Sequence, residues 1–164
     1  MRTRYICGSV TVMLLLASAV GSAQNGSDKH VLVRPTEVKW MPPPVETGVP
    51  AAVGMVVVSG NPGEAGSLFS IRLKLPTGAK FAPHWHPGDE HVVVLSGSFA
   101  IGMGERFDSS ALEDMPQGSY VLLPKEMRHF ALARTDAVVQ VYGIGPFVLN
   151  YVNKADDPRV TGSR

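Results

Sequence analysis

Four residues stand out for the chemistry they could perform together. His84, His86 and Glu90 lie within the stretch Gly78 to Gly97, and His129 lies downstream in a second segment bounded by glycine and proline. Imidazole nitrogens joined by one carboxylate form the donor set of a borderline divalent transition metal. The spacing sorts the donors. Successive side chains on a strand point to opposite faces, so His84 and His86 share a face and Trp85 takes the other. Pro87-Gly88-Asp89 is turn chemistry, with proline fixing φ and glycine tolerating φ > 0. The chain reverses there, and Glu90 opens the next strand, Glu90–Leu95, where it can return to the same point. Val92 and Val94 share the face of Glu90, so the site is expected to be apolar and poorly hydrated. A pair of histidines on one strand is more often incidental than metal-binding; the full set with Glu90 and His129 carries the reading.

The elements that must hold these side chains read as strands almost throughout. Ser67 to Leu75 alternates cleanly, with Phe69, Ile71, Leu73 and Leu75 on one face and Ser70, Arg72 and Lys74 on the other. Further strands are expected at 53–59, 98–103, 119–123, 128–133, 137–142 and 147–152, with short edge strands at 31–33 and 37–40 and one helical turn within 108–115. Pro42-Pro43-Pro44 is a stiff connector, because each proline fixes φ and removes a donor. Many short strands punctuated by Gly/Pro turns suggest a sandwich or barrel. On the strand carrying His129, alternation turns Ala131 and Ala133 inward, and their small size leaves room for a ligand. His91 points away from Glu90, and Trp85 reads as outer packing. Phe81, Phe99, Met103, Phe130 and Tyr142 are core or pocket lining that the sequence does not sort. Gly143-Ile144-Gly145 has no following helix and no lysine, so it is not a phosphate loop.

The stretch Gly78-x5-His84-x-His86-x3-Glu90-x6-Gly97 resembles the first cupin motif at every defined position. Gly118, Pro124 and His129 match the second motif, whose inner glycine is replaced by Glu126 and whose terminal asparagine is replaced by Ala133. Glu126 is expected to be a solvated turn residue. Only 20 residues, Ser98 to Gln117, separate the motifs, as in a small single-domain cupin of the cupin 2-type conserved barrel. The resemblance covers roughly Val53 to Tyr151 and implies an all-β double-stranded β-helix, a jelly-roll-like barrel. It also implies that His84, His86, Glu90 and His129 hold one divalent metal, with iron, manganese, nickel, copper and zinc all compatible. Homodimers that exchange strands occur in such families, and the residues before Val53 could form the arm.

Four protein ligands leave one or two positions on a metal that takes five or six. No Ser-His-Asp set or second carboxylate pair is evident near the motifs, which leaves Glu90 as the proton acceptor and catalytic residue. Three readings follow. The first is a metal-dependent enzyme acting on a small oxygen-bearing organic molecule; the resemblance implies a dioxygenase, with isomerase, decarboxylase and lyase chemistry as alternatives. The second is a non-catalytic ligand-binding or sensing cupin. The third is a structural or storage protein closed by its metal.

Arg2 and Arg4, the apolar run Val10 to Val20 and Gly21-Ser22-Ala23-Gln24 form the pattern of a secretory signal peptide. The expectation is cleavage after Ala23, giving an exported protein, periplasmic or secreted. The apolar run is shorter than the ~20 residues of a spanning helix, so no stable membrane anchor is expected afterwards. The expected segments are 1–23 leader, 24–52 arm, 53–152 barrel and 153–164 tail. Cleavage removes Arg2 and Arg4 from 15 basic residues, leaving 13 against 14 acidic ones and a formal charge of −1. No basic field remains to attract nucleic acid. The one cysteine, Cys7, leaves with the leader, which excludes disulfides and thiol catalysis from the mature chain.

Overall fold

A computed structural model describes residues 30–161. The expected leader and its cleavage site lie outside the described residues. The described residues from Val31 onward gather into one compact unit. No helix among the described residues is long and apolar enough to cross a membrane.

Ten strands among the described residues form two antiparallel sheets. The strands are β1 (Gly54–Gly60), β2 (Leu68–Leu75), β3 (Lys80–Trp85), β4 (Glu90–Ser96), β5 (Ser98–Met103), β6 (Glu113–Pro116), β7 (Tyr120–Leu123), β8 (His129–Ala133), β9 (Ala137–Ile144) and β10 (Asn150–Tyr151). One sheet runs β1-β2-β9-β4-β7 and the other β10-β3-β8-β5-β6. Their inner faces enclose the core. Phe69, Ile71, Leu73 and Leu75 of β2 are all buried, as the alternation predicts, and they meet Val92 and Val94 of β4, Val139 and Val141 of β9, and Phe81 and Phe99 of the facing sheet. Each such side chain contributes about 1.5–3 kcal/mol on burial. The outward residues of β9 and β4, such as Gln140, Tyr142 and His91, are half-buried.

Gly97 ends β4 with φ 75°, and a Cβ there would collide with the Asp136 carbonyl oxygen. Only glycine turns the chain at that point.

Four expected elements differ. Residues 31–33 and 37–40 form no strands: Pro35–Glu37 is a 3-10 turn, and the segment joins β1 by one bridge, Met41 to Met55. Pro35 and the run Pro42-Pro43-Pro44 lack the donors a longer ladder needs. The strand expected at 147–152 shrinks to Asn150–Tyr151, because the Phe147 and Leu149 amides donate instead to the carbonyls of Pro62 and Thr47. Within 108–115 the helical turn is confined to Ser109–Ala111, and Glu113–Pro116 pairs with β5.

Candidate metal centre

His84 and His129 are register partners across β3 and β8. Strict alternation from the inward Phe81 would turn His84 outward. A β-bulge over Ala82 and Pro83 prevents this: Phe81 pairs with Ala131 and His84 with His129, so β3 carries one extra residue. The bulge re-aims His84 into the interior. His86 follows the end of β3, and Glu90 is the first residue of β4 in the opposite sheet. The site therefore joins the two sheets. Glu90 is register partner to Gly143 on β9, where a side chain would collide with the Asp89 carbonyl oxygen.

All four residues are buried. Ring centroids lie 4.2 Å apart for His84 and His129, 5.0 Å for His84 and His86, and 5.4 Å for His86 and His129. Each Nδ1 faces a backbone carbonyl: His84 that of Ala82 at 2.8 Å, His86 that of Val148 at 2.9 Å, and His129 that of Met127 at 3.0 Å. A carbonyl only accepts, so each Nδ1 donates. When the rings are neutral, this leaves three Nε2 lone pairs facing inward, the arrangement in which an outer hydrogen bond fixes a metal ligand's tautomer. One ligand atom from each histidine lies within 4.8 Å of the others. Glu90 Oε2 approaches His86 Nε2 at 3.2 Å and His129 Nε2 at 3.4 Å.

With a neutral ring whose Nδ1 donates to Val148, His86 presents a buried Nε2 lone pair that finds no donor among the described residues and faces the Glu90 oxygen. A buried, unpaired acceptor costs about 1–3 kcal/mol, and a cation between the imidazoles would remove that cost. Burial, then the neighbouring His129 and His86, hold the His84 imidazole well below its usual range. Burial alone would raise the Glu90 carboxyl, but the charge of His86 and hydrogen bonding from His129 and His86, which act when those rings carry a proton on Nε2, outweigh it and hold the group well below the usual carboxylate range. A neutral imidazole and an ionised carboxylate are the forms a metal binds. The buried three-histidine cluster thus can hold a metal ion.

The surroundings are apolar. Phe81, Val92, Phe99, Ile101 and Leu123 line a cavity of about 30 Å³ beside the imidazoles. Ala131 and Ala133 are buried and face inward as expected. Phe81 and Phe99, their register partners, occupy much of the room they leave. Phe130 instead packs with Phe107, Met103 is exposed, and Tyr142 stacks on His91 at 4.7 Å. His91 Nδ1 lies 2.9 Å from the Tyr120 hydroxyl, away from the site. Trp85 is half-buried under the Arg128 guanidinium. Glu126 is exposed, and its amide donates to the His86 carbonyl at 2.9 Å. Sequence reasoning missed Phe147, whose ring stacks on His86 at 5.3 Å with planes 12° apart. Nothing in its local pattern distinguishes it from a core phenylalanine.

Two facing antiparallel sheets with a histidine cluster between them define a cupin β-sandwich. The chain belongs to the ChrR Cupin-like domain family, which matches it over residues 28–148. Among solved structures it is similar to the polyketide cyclase RemF from Streptomyces resistomycificus (17% identity, 83% of this chain and 94% of that one, TM-score 0.60). It is also similar to KdgF from Halomonas sp. (18%, 71% and 96%, TM-score 0.53) and to an RmlC-like cupin from Shewanella frigidimarina NCIMB 400 (12%, 71% and 93%, TM-score 0.53). At these identities the likeness is one of fold. A comparison with curated proteins found no match.

Proposed function

We propose that this chain is an exported, metal-dependent enzyme that acts on a small oxygen-bearing organic molecule, with Glu90 as fourth metal ligand and proton acceptor. The observation that carries the reading is the convergence of three histidines, each tied through Nδ1 to a carbonyl, on a carboxylate in an apolar interior. A divalent iron, manganese, nickel, copper or zinc ion bound there would supply Lewis-acid or oxygen-activating chemistry. The protein's own part is to hold the imidazoles in one tautomer, to exclude water through the surrounding Phe81, Val92 and Leu123, and to offer the Glu90 oxygen as the acceptor for a substrate proton. A dioxygenase-like reaction is the first to test, with isomerase, decarboxylase and lyase chemistry as alternatives. RemF is an enzyme on this scaffold, which supports an enzyme reading only at the level of the scaffold. Export rests on the leader pattern of residues 1–23, and neither nucleic acid nor a membrane is proposed as a partner. A homodimer is the proposed assembly.

One observation favours a second reading, a binding cupin without turnover. Beyond the imidazoles, Glu90 is the only titratable side chain lining the cavity among the described residues.

The test is elemental analysis of the mature chain purified without chelators or immobilised metal, followed by oxygen-uptake and substrate screening. Near-stoichiometric metal, lost together with activity in His86→Ala, supports the enzyme. Iron, manganese, nickel or copper directs the screen to oxygen-dependent reactions, and zinc directs it to isomerase, decarboxylase or lyase reactions. Metal with a stable ligand complex and no turnover supports the binding reading. Full activity in His86→Ala removes the metal-dependent enzyme.

A further inference from the structure

The cavity beside the imidazoles, at about 30 Å³, has room for roughly two water molecules and not for an organic body. A second, much larger hollow lies next to it. This groove of about 440 Å³ runs between the segment before β1, the outer edge of β1 and the turn at Asn61-Pro62-Gly63. Its volume falls in the range of about 300–1,000 Å³ common for small-molecule sites. Met41, Pro42, Pro44, Met55, Val57 and Pro62 make it predominantly apolar, and Lys39 and Glu46 stand in its lining as charged groups with no ion pair among the described residues.

Phe147 is the one residue that lines both hollows. Its ring lies against His86 at 5.3 Å and 12°, and against Phe69 at 5.5 Å. Its amide donates to the Pro62 carbonyl at 2.7 Å, which anchors its backbone to the groove wall. It sits between β9 and β10, outside any strand. A single side chain therefore partitions the histidine cluster from a space large enough for a ligand.

We propose that the groove, apolar with Lys39 as its cationic group, is a binding site for the apolar body of a small carboxylic acid, and that Phe147 is the gate past which the oxygen-bearing end reaches His84, His86 and His129. The approach to the cluster rests on the metal-centre reading; occupancy of the groove rests on its own volume and lining. Displacing the Phe147 ring joins the two hollows, so the ligand's oxygens meet the imidazoles while its carbon skeleton stays against Met41, Met55 and Val57.

The experiment uses 3-phenylpropanoate, an apolar ring carrying a carboxylate, as the probe. It is titrated into the mature chain carrying ¹³C-methyl methionine, and zinc is extracted from the loaded chain with 1,10-phenanthroline in parallel. Saturable shifts of the Met41 and Met55 methyl signals are expected, weakened at least tenfold by Val57→Trp, which fills the groove from an exposed position. Phe147→Ala should speed zinc extraction at least tenfold. Phe147→Leu, which keeps an apolar branched side chain, should do so to a smaller degree and serves if the alanine variant does not fold. Methyl signals that stay in place, or an affinity indifferent to Val57→Trp, overturn the groove. Extraction at the wild-type rate in the folded Phe147 variants overturns the gate. A chain that loads no zinc at all defeats the metal reading and the gate with it, and the methyl titration still decides the groove.

Discussion

Glu90 Oε2 and His86 Nε2 lie 3.2 Å apart between the two sheets, and both side chains are buried. His86 directs Nδ1 to the Val148 carbonyl, so with a neutral ring the contact sets a carboxylate oxygen against an imidazole lone pair. Two acceptors at that distance repel unless a proton or a cation lies between them. The geometry is thus poised for positive charge, and a divalent cation satisfies His84 and His129 at the same time.

Metal binding is accordingly expected to stabilise the fold. At a free metal concentration 100 times Kd the gain is about 2.7 kcal/mol, which for a domain of this size raises Tm by roughly 5–15 °C. Chelation should reverse the shift. His129→Ala should abolish both binding and the metal-dependent shift, while Glu90→Gln, which retains a neutral oxygen donor, should weaken binding by about tenfold or more. Thermal melts with and without metal, together with equilibrium dialysis of the two variants, check each outcome.

Glu126 is the only non-glycine residue with positive φ among the described residues, at 63°. It occupies the inner glycine position of the second cupin motif, and its amide bonds to the His86 carbonyl. The turn is preserved and the strain is carried by the backbone. A left-handed residue with a Cβ costs about 1–2 kcal/mol, partly offset in a glycine variant by about 0.5–1 kcal/mol of chain entropy. Glu126→Gly should therefore raise stability by up to about 1 kcal/mol, whereas β-branched Glu126→Val should lower it by a similar amount or more. Denaturant unfolding of both variants distinguishes this from a side-chain role for the glutamate, which would make both substitutions unfavourable.

Tyr151 gives the fold an alkaline limit. Its hydroxyl donates to the Gly48 carbonyl at 2.9 Å, and burial first, then the charge of Asp157, pushes its pKa up to about 12. The unfolded value is about 10. Because the folded value is the higher one, the protonated hydroxyl contributes stability that is fully present below pH ~10 and lost as pH rises through about 12. Ultraviolet difference titration should show one tyrosine ionising at about pH 12, and that step should be missing in Tyr151→Phe. Tyr151→Phe should cost about 1 kcal/mol at neutral pH and remove that portion of the alkaline loss; an unchanged pH profile in this variant would refute the assignment.

Much of the fold was legible because its strands alternate. Phe69, Ile71, Leu73 and Leu75 declare one buried face by period alone, and Val92 and Val94 extend it from Glu90. The edges were less legible. Residues 31–40 carry strand-like side chains, yet their prolines leave too few donors, and only Met41 pairs. At 147–152 the amides find partners in distant loops, at Pro62 and Thr47, which no local pattern announces.

The candidate site divides in the same way. Residue type and spacing by themselves put His84, His86, Glu90 and His129 into one candidate group, because imidazoles and a carboxylate around a reversing turn form a metal's donor set. Tertiary structure alone decided their geometry. The bulge at Ala82 and Pro83 turns His84 inward, and its register is set by β8, not by β3 itself. The carbonyls of Ala82, Met127 and Val148 fix the tautomers, and Phe147 comes from 61 residues beyond His86 to close the site. Such contacts depend on which strands become neighbours, and that is settled by the packing of two sheets over a shared core. A local run of side chains carries no record of it.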